Sequence, residues 1–234
     1  MKTAVLISGQ IRNAKECYNS LYEHIIKPYD ADVFIDTWLP NNYTLDHRGQ
    51  YIPNDMSVDE VLREFRPKLA TFEDFDTSKL MQALSKVKIE NRKAYDGSWA
   101  HETIVPNIFY MYYKVWRAFD LMKNYESLNE VKYDLVIRMR FDLQFDEFPQ
   151  IKELAPDSIY VPAGSDHRGG LNDLMALGDN ASMEKYCLLF PSLFNYANSG
   201  MGFHPESVLR QHLEISKLKI ERFNLKYKLR GEYV

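Results

Sequence analysis

The chain opens on an apolar run, Ala4 to Ile7, that breaks at Ser8-Gly9-Gln10, the pattern of a short buried strand ending in a turn. Cys17, Leu21, Ile25 and Ile26 recur at roughly helical spacing across residues 13–26, and Pro28 ends the run. Ala31 to Trp38 has the pattern of a second strand. Strand, helix and strand in such a short span form a βαβ unit, whose strands run parallel with a right-handed crossover.

Residues 40–56 are rich in Asn, Asp, Pro and Tyr and predict a long surface loop. Ser57 caps a short helix through about Phe65, with Glu60 completing a capping box, and Pro67 stops it. Lys68 to Phe72 is a third strand. Residues 73–103 are polar and weakly patterned, a loop with a short helix near 77–86. The clearest helix runs from about Pro106 to Tyr125, with Ile108, Met111, Tyr112, Val115, Phe119 and Met122 on one face. Strands follow at Tyr133 to Arg140 and Ser158 to Pro162, helices at 181–196 and 205–216, and a last strand at Leu218 to Leu225. The expected fold class is α/β: a mixed, mainly parallel sheet flanked by helices in a single domain, 1–234.

Composition narrows the partners. The formal net charge of −4 lacks the basic footprint that a phosphate backbone demands, so no nucleic-acid partner is expected. Aromatics make up 14% of the chain, enough for a large core with some rings left for sugar or base stacking. Cys17 and Cys187, the two cysteines, match no CxxC pattern and are expected to be reduced and buried. No stretch approaches the roughly 18 apolar residues of a membrane span, and the apolar run at the start is too short for a signal peptide, so a cytoplasmic protein is expected.

Candidate chemistry sits at strand ends. In open α/β sheets ligands bind beyond the carboxyl ends of the strands. Ser8, Gly9, Gln10 and Arg12 occupy such an end just before a helix. Gly9 permits close backbone approach, the helix N-terminus offers N–H groups to phosphate, and Arg12 adds a bidentate contact. Neither GxGxxG nor a P-loop is present, so dinucleotide and P-loop readings lose support. Asp36, ending the second strand, suits a base N–H or a ribose hydroxyl, or a plain turn. Lys114 and Arg117, three apart on the long helix, face either phosphates or solvent.

The most informative stretch is Tyr133 to Leu143, in which an apolar strand runs into alternating Arg138, Arg140 and Asp142. Period two puts these three side chains on one side. They are costly to bury without partners, and a diphosphate with a divalent cation would satisfy all three. The alternative is a surface ion-pair ladder on an edge strand.

Together, Leu6 to Arg12, Ala31 to Trp38, Tyr133 to Leu143 and Gly169 to Asp173 resemble small bacterial and viral proteins of the GT-A glycosyltransferase type. The resemblance implies a GT-A-like (Rossmann-like) fold, with residues 1–75 as the nucleotide-binding part and 104–234 as the acidic-motif and acceptor part. It implies transfer of a sugar from a nucleotide-diphospho-sugar donor to a carbohydrate acceptor hydroxyl, with Mn²⁺ or Mg²⁺ held by Asp142 against the diphosphate. The family's DxD motif is broken here, because Arg140 stands where the first Asp belongs. Arg138 and Arg140 then take over part of the charge neutralisation.

By the same resemblance, Arg168, Gly169, Gly170 and Asn172 line the sugar or acceptor pocket. Asp173 is the first candidate for catalytic base, with Glu206 second, and His204 lines the pocket near the diphosphate. Each has a plainer reading: Asn172-Asp173 as a helix cap, and His204-Pro205-Glu206 as the opening of the helix at 205–216. Two other functions fit parts of the pattern. One is a nucleotidyltransferase that makes the sugar nucleotide. The other is a non-catalytic carbohydrate- or nucleotide-binding protein on a degenerate GT-A scaffold.

Overall fold

The computed structural model describes residues 1–39, 43–45, 51–74, 104–199, 201 and 203–230. The helix expected near 77–86, with the polar stretch 75–103 around it, lies outside the described residues, as do Gly200 and Gly202.

The elements run β1 (Thr3–Gly9), α1 (Ala14–Leu21), β2 (Asp32–Trp38), β3 (Tyr43–Leu45), β4 (Tyr51–Pro53), α2 (Val58–Phe65) and β5 (Leu69–Glu73). Then come α3 (Ile104–Asn129), β6 (Leu135–Met139), β7 (Leu143–Phe145), β8 (Ser158–Pro162) and β9 (Ala176–Gly178). The chain continues through α4 (Asn180–Cys187), α5 (Leu189–Asn198), α6 (Pro205–Ile215), β10 (Lys219–Phe223) and β11 (Tyr227–Leu229). A 7-stranded sheet has the order β10-β8-β9-β6-β1-β2-β5. It is mainly parallel, with β9 antiparallel to both of its neighbours, β6 and β8. Strands from both expected parts, 1–75 and 104–234, therefore share one sheet. Among the described residues no helix is long and apolar enough to cross a membrane.

The alternation along β1 explains the layers. Ala4 and Leu6 face one side, where Phe34 and Val136 continue the surface and Tyr112, Val115, Phe119 and Met122 of α3 cover it. Helices α4, α5 and α6 add Met183, Leu193 and Leu209 to the same layer. Val5 and Ile7 face the other side with Ile35 and Ile137, under Cys17 and Leu21 of α1 and Val61 and Phe65 of α2. A central parallel strand covered on both faces is expected to be apolar through its middle, and β1 is, from Ala4 to Ile7.

Several boundaries differ from the sequence pattern for physical reasons. Helix α1 closes in a π-helical turn over Tyr22–Ile26. Ile25 and Ile26 in this turn are both buried in the core. The expected loop 40–56 contains a hairpin, β3 paired antiparallel with β4. The single helix expected over 181–196 is two, α4 and α5, broken at Leu188. Strand β9 is only three residues long, too short to show a period, and β7 and β11 pair in a separate two-stranded ribbon.

The topology also creates a crevice. From β1 the sheet grows one way to β2 and β5 and the other way to β6, so the chain order switches between the carboxyl ends of β1 and β6. The turn carrying Ser8 to Arg12 and the turn carrying Arg140 to Asp142 both rise from that point.

The capping box of α2 forms as the sequence indicates. Ser57 Oγ accepts from the Glu60 amide at 3.3 Å, and the Ser57 amide donates to Glu60 Oε2 at 2.8 Å. Ser57→Ala is expected to cost about 1 kcal/mol and to lower the melting temperature by about 2–4 °C. Thermal unfolding checks this, and an unchanged melting temperature would mean that the box contributes nothing.

Candidate functional site

At the β1/β6 crevice, strand β6 ends at Met139, and a turn at Phe141–Asp142 folds the Asp142 carboxylate back. Arg140 Nε donates to its Oδ1 at 2.9 Å and Nη2 to its Oδ2 at 2.6 Å. Arg12 Nε, arriving from the β1 turn, donates to Oδ2 at 2.8 Å. Asp142 is 1% exposed. Burial works against its charge, but the guanidiniums of Arg140 and Arg12 outweigh it and hold the carboxyl below the usual range.

The one-sided trio expected from period two is thus divided. Arg138 stays on the strand, 1% exposed, and turns inward under α3. Its Nη1 donates to the backbone carbonyl of Asp173, and its Nε has no partner among the described residues. Arg140 and Asp142 belong to the turn, and Arg12 is the third member there.

A second group adjoins the first. Asp173 lies just before β9, and burial pushes its carboxyl up to about 6. Glu206 nearby adds to that rise, while Arg138, Arg140 and His204 oppose it. Glu206 Oε2 is 2.6 Å from His204 Nδ1. His204 is the N-cap of α6 with Pro205 in the first turn, as the plainer sequence reading has it, and the pair still stands beside Asp173. Gly170 fixes this juxtaposition, because a Cβ there would sit 2.1 Å from the backbone carbonyl carbon of Glu206. The Leu171 amide donates to the Glu206 carbonyl at 3.0 Å.

Other expected site residues serve the scaffold. Asn172 is fully buried and takes no helix-cap role. Its amide nitrogen donates to Gly164 O and Tyr227 OH, and its Oδ1 accepts from the Leu174 amide, an Asx-type turn that leads into β9. Arg168 and Gly169 have positive φ and are exposed, their carbonyls accepting from Ser207 Oγ and Arg210 Nη1. The first turn of α1 is not open to phosphate, because Asp55 Oδ2 accepts from the Lys15 and Glu16 amides at 3.0 and 3.4 Å. Gly9, at φ 112, keeps open space where a Cβ would be, so the backbone there remains approachable. Ser8 Oγ is buried without a partner among the described residues, and Gln10 is half-buried in the β1 turn.

Asp36 and Lys114 pair with each other inside the fold. Both are fully buried, with Lys114 Nζ 2.9 Å from Asp36 Oδ1, 2.5 Å from Glu73 Oε2 and 3.9 Å from the centroid of the Trp38 ring. Thr71 Oγ1 donates to Asp36, and Tyr113 OH to Glu73 at 3.1 Å. Burial raises the Asp36 carboxyl despite Lys114. For Glu73 burial is outweighed by Lys114 and Tyr113, and its carboxyl lies below the usual range. Glu73, Thr71 and Tyr113 were missing from the sequence reading, although Glu73 ends β5 opposite Trp38 and follows the same strand-end rule.

Asp142 is the acid that would hold a divalent cation, and its surroundings do not fit one. Guanidiniums bond both of its oxygens, and a cation there would sit beside two positive charges. Repulsion between unit charges 4 Å apart is on the order of 4 kcal/mol at an effective dielectric of 20. Among the described residues no three His, Cys, Asp or Glu side chains converge on a cation position. Cys17 and Cys187 are free and buried, and burial pushes both thiols up, Cys17 to about 12. A cavity at the opposite, amino end of the sheet, between α1 and α2, is lined by Tyr18, Tyr22, Phe65, Arg66 and Lys68 and includes none of the candidate residues.

A family model described as a domain of unknown function, DUF7796, matches residues 1–229. The comparison with curated proteins finds no match.

The position of Asp173 has a measurable consequence. An aspartate titrates near 4 in an unfolded chain, and folded Asp173 titrates at about 6. The folded state holds the extra proton between those values, so stability falls as pH rises through that window. Above it, the ionised carboxyl costs the fold on the order of 2 kcal/mol. Asp173→Asn is therefore expected to melt higher than the natural chain near pH 8 and about level with it near pH 4. A difference independent of pH would contradict a burial-raised carboxyl.

Proposed function

We propose that this chain, which belongs to the DUF7796 family, is a glycosyltransferase of GT-A type that moves a sugar from a nucleotide-diphospho-sugar to an acceptor hydroxyl. One observation carries the reading. At the β1/β6 switch point, a cluster of guanidiniums (Arg12 and Arg140, with Arg138 further in) adjoins a buried carboxyl of raised pKa, Asp173. The N-terminal βαβ unit, the amphipathic α3 between the two halves of the sheet, and a strand running into a charged turn are the features through which the sequence resembles GT-A enzymes.

In this mechanism the acceptor oxygen attacks the anomeric carbon, and Asp173, ionised, takes its proton. The bond from that carbon to the diphosphate oxygen breaks, and the electron pair leaves with the nucleoside diphosphate. Arg12 and Arg140 stabilise the charge that develops there, in a site preorganised before the donor arrives. Gly9 lets the donor approach the β1 turn. Glu206 and His204, beside Asp173, orient the acceptor hydroxyl. A base in this position corresponds to transfer with inversion.

A second reading, nucleotide binding without catalysis, is favoured by Arg140 standing where the resemblance expects an acid and by the full engagement of Asp142. Synthesis of the sugar nucleotide has less support, since Asp55 already occupies the α1 amides that a triphosphate would seek.

Turnover separates the readings. The purified chain, incubated with a panel of nucleotide sugars, is expected to release nucleoside diphosphate, with a rate that climbs as pH rises through about 6. Asp173→Asn is expected to lower that rate by about 100-fold or more while nucleoside diphosphate still binds by calorimetry. Binding with no release from any donor would leave the non-catalytic reading standing.

A further inference from the structure

We propose that the cavity at the amino end of the sheet, between α1 and α2, is a binding site for a neutral sugar, a mono- or disaccharide unit. It uses none of the crevice residues and stands independently of the sugar-transfer reading.

The cavity measures about 300 Å³, at the lower end of the range of about 300–1,000 Å³ that small-molecule sites occupy. Asp32 in its wall opens β2, whereas the crevice lies beyond the carboxyl ends of the strands. The two are separated by a strand's length, roughly 20 Å. Three rings give the cavity its apolar surface. Tyr18 lies edge-on to Phe65 with ring centroids 5.0 Å apart and stacks on Tyr22 at 5.8 Å. Tyr18 OH donates to the Glu64 carbonyl at 2.9 Å, which ties the ring pair to the last turn of α2. Tyr22, in the π-helical turn, remains 38% exposed. Tyrosine presents an apolar body and a polar tip, a combination that suits the C–H faces and hydroxyl edges of a sugar.

The charged groups of the wall decide the class of ligand. Two acids, Asp32 and Glu64, and two bases, Arg66 and Lys68, line the cavity. A ligand anion would meet both acids, and a ligand cation both bases. A neutral polyol avoids either repulsion. Each of its hydroxyls donates once and accepts twice, so it can face a carboxylate on one side and a cation on the other.

The wall's own contacts leave such groups available. Its backbone is engaged, with the Ala31 amide donating to the Ile26 carbonyl at 3.0 Å and the Lys68 amide to the Val33 carbonyl at 2.8 Å. Recognition therefore falls to side chains. Lys68 Nζ stands 3.2 Å from Asp32 Oδ1, and Arg63 Nε donates to Glu64 Oε1 at 3.2 Å, so each acid is held in place by a cation. A carboxylate has about four acceptor positions and keeps capacity for a sugar hydroxyl. Arg66 is exposed, and its guanidinium makes no hydrogen bond or ion pair among the described residues. Its fork of N–H donors is the group that a pair of sugar hydroxyls would engage.

The test uses the full chain and a panel of neutral sugars: glucose, galactose, mannose, N-acetylglucosamine, maltose, cellobiose and lactose. Glucuronic acid is the anionic comparison and glucosamine the cationic one. Titration followed by the amide resonances of the protein gives both the Kd and the place of binding. At least one neutral sugar is expected to bind at millimolar concentration, more tightly than either charged sugar, and to shift the amides of Tyr18, Tyr22, Phe65 and Arg66. Arg66→Gly removes the guanidinium and suits the left-handed backbone at φ 44, so the fold is kept. It is expected to weaken binding about tenfold. Tyr22→Ala is expected to weaken it about fivefold. Circular dichroism and melting temperature establish that each variant is folded.

No shift at these amides with any neutral sugar would overturn the proposal. Tighter binding of glucuronic acid or glucosamine than of every neutral sugar would overturn it as well. So would binding that both variants leave unchanged, which would put the sugar elsewhere on the chain. None of these outcomes bears on the crevice reading, whose own failure is an absence of turnover from nucleotide sugars.

Discussion

The ends of β1 and β6 are joined by the Arg12–Asp142–Arg140 contact, and the form of the crevice depends on it. Both strands are buried on two faces, so their registers are fixed by packing. Beyond β6 the Arg230 amide donates to the Asp142 carbonyl at 2.9 Å, and the Asp142 carboxylate links the two turns. It draws the β1 turn and the β6 turn to one point with bonds of 2.6–2.9 Å. The guanidiniums of Arg140 and Arg12 outweigh the burial of this carboxylate and keep it ionised.

A second buried charge cluster on the same carboxyl edge sharpens the contrast. Lys114, Asp36 and Glu73 are closed off by Trp38 and Tyr113, with Lys114 and Asp36 fully buried. Two carboxylates share one ammonium there, and the deeper one, Asp36, has the raised carboxyl while Glu73 at the rim has the lowered one. That cluster joins α3 to the ends of β2 and β5. There Lys114 and Asp36 are covered, whereas the side chains of Arg12 and Arg140 are partly exposed.

Much of the architecture was legible because it rests on local pattern. β1, β2, α2, α3 and β8 follow from apolar periodicity and caps, and the strand-end rule picked out Ser8 to Arg12, Arg140 and Asp142. The rest depended on contacts far apart in sequence. Period two cannot see that β6 stops at Met139 and that a turn, not a strand, carries Asp142. Nothing near Asp55 announces that it caps a helix some forty residues earlier. Lys114 has the spacing of a solvent-facing helix residue, and only the packing of α3 across β2 buries it. Strand β9, at three residues, is set by pairing with β6 and β8 and has no pattern of its own.

The loop from His167 to Asp173 shows how backbone contact, more than side-chain contact, assembles the acidic half of the crevice. Gly170 lies so close to the first turn of α6 that no side chain fits, and the Leu171 amide bonds to Glu206 across the gap. Asn172, fully buried and bonded on both sides, then fixes the chain direction at the next residue. Arg138 holds the Asp173 carbonyl from below. The Asp173 carboxyl is raised by Glu206 and lowered by Arg138, Arg140 and His204. A carboxyl held between a like charge and an opposite one is sensitive to both. Any anion that engages Arg140 would weaken the restraint on the Asp173 pKa, so occupancy of the arginine side and basicity of the acid side are physically linked.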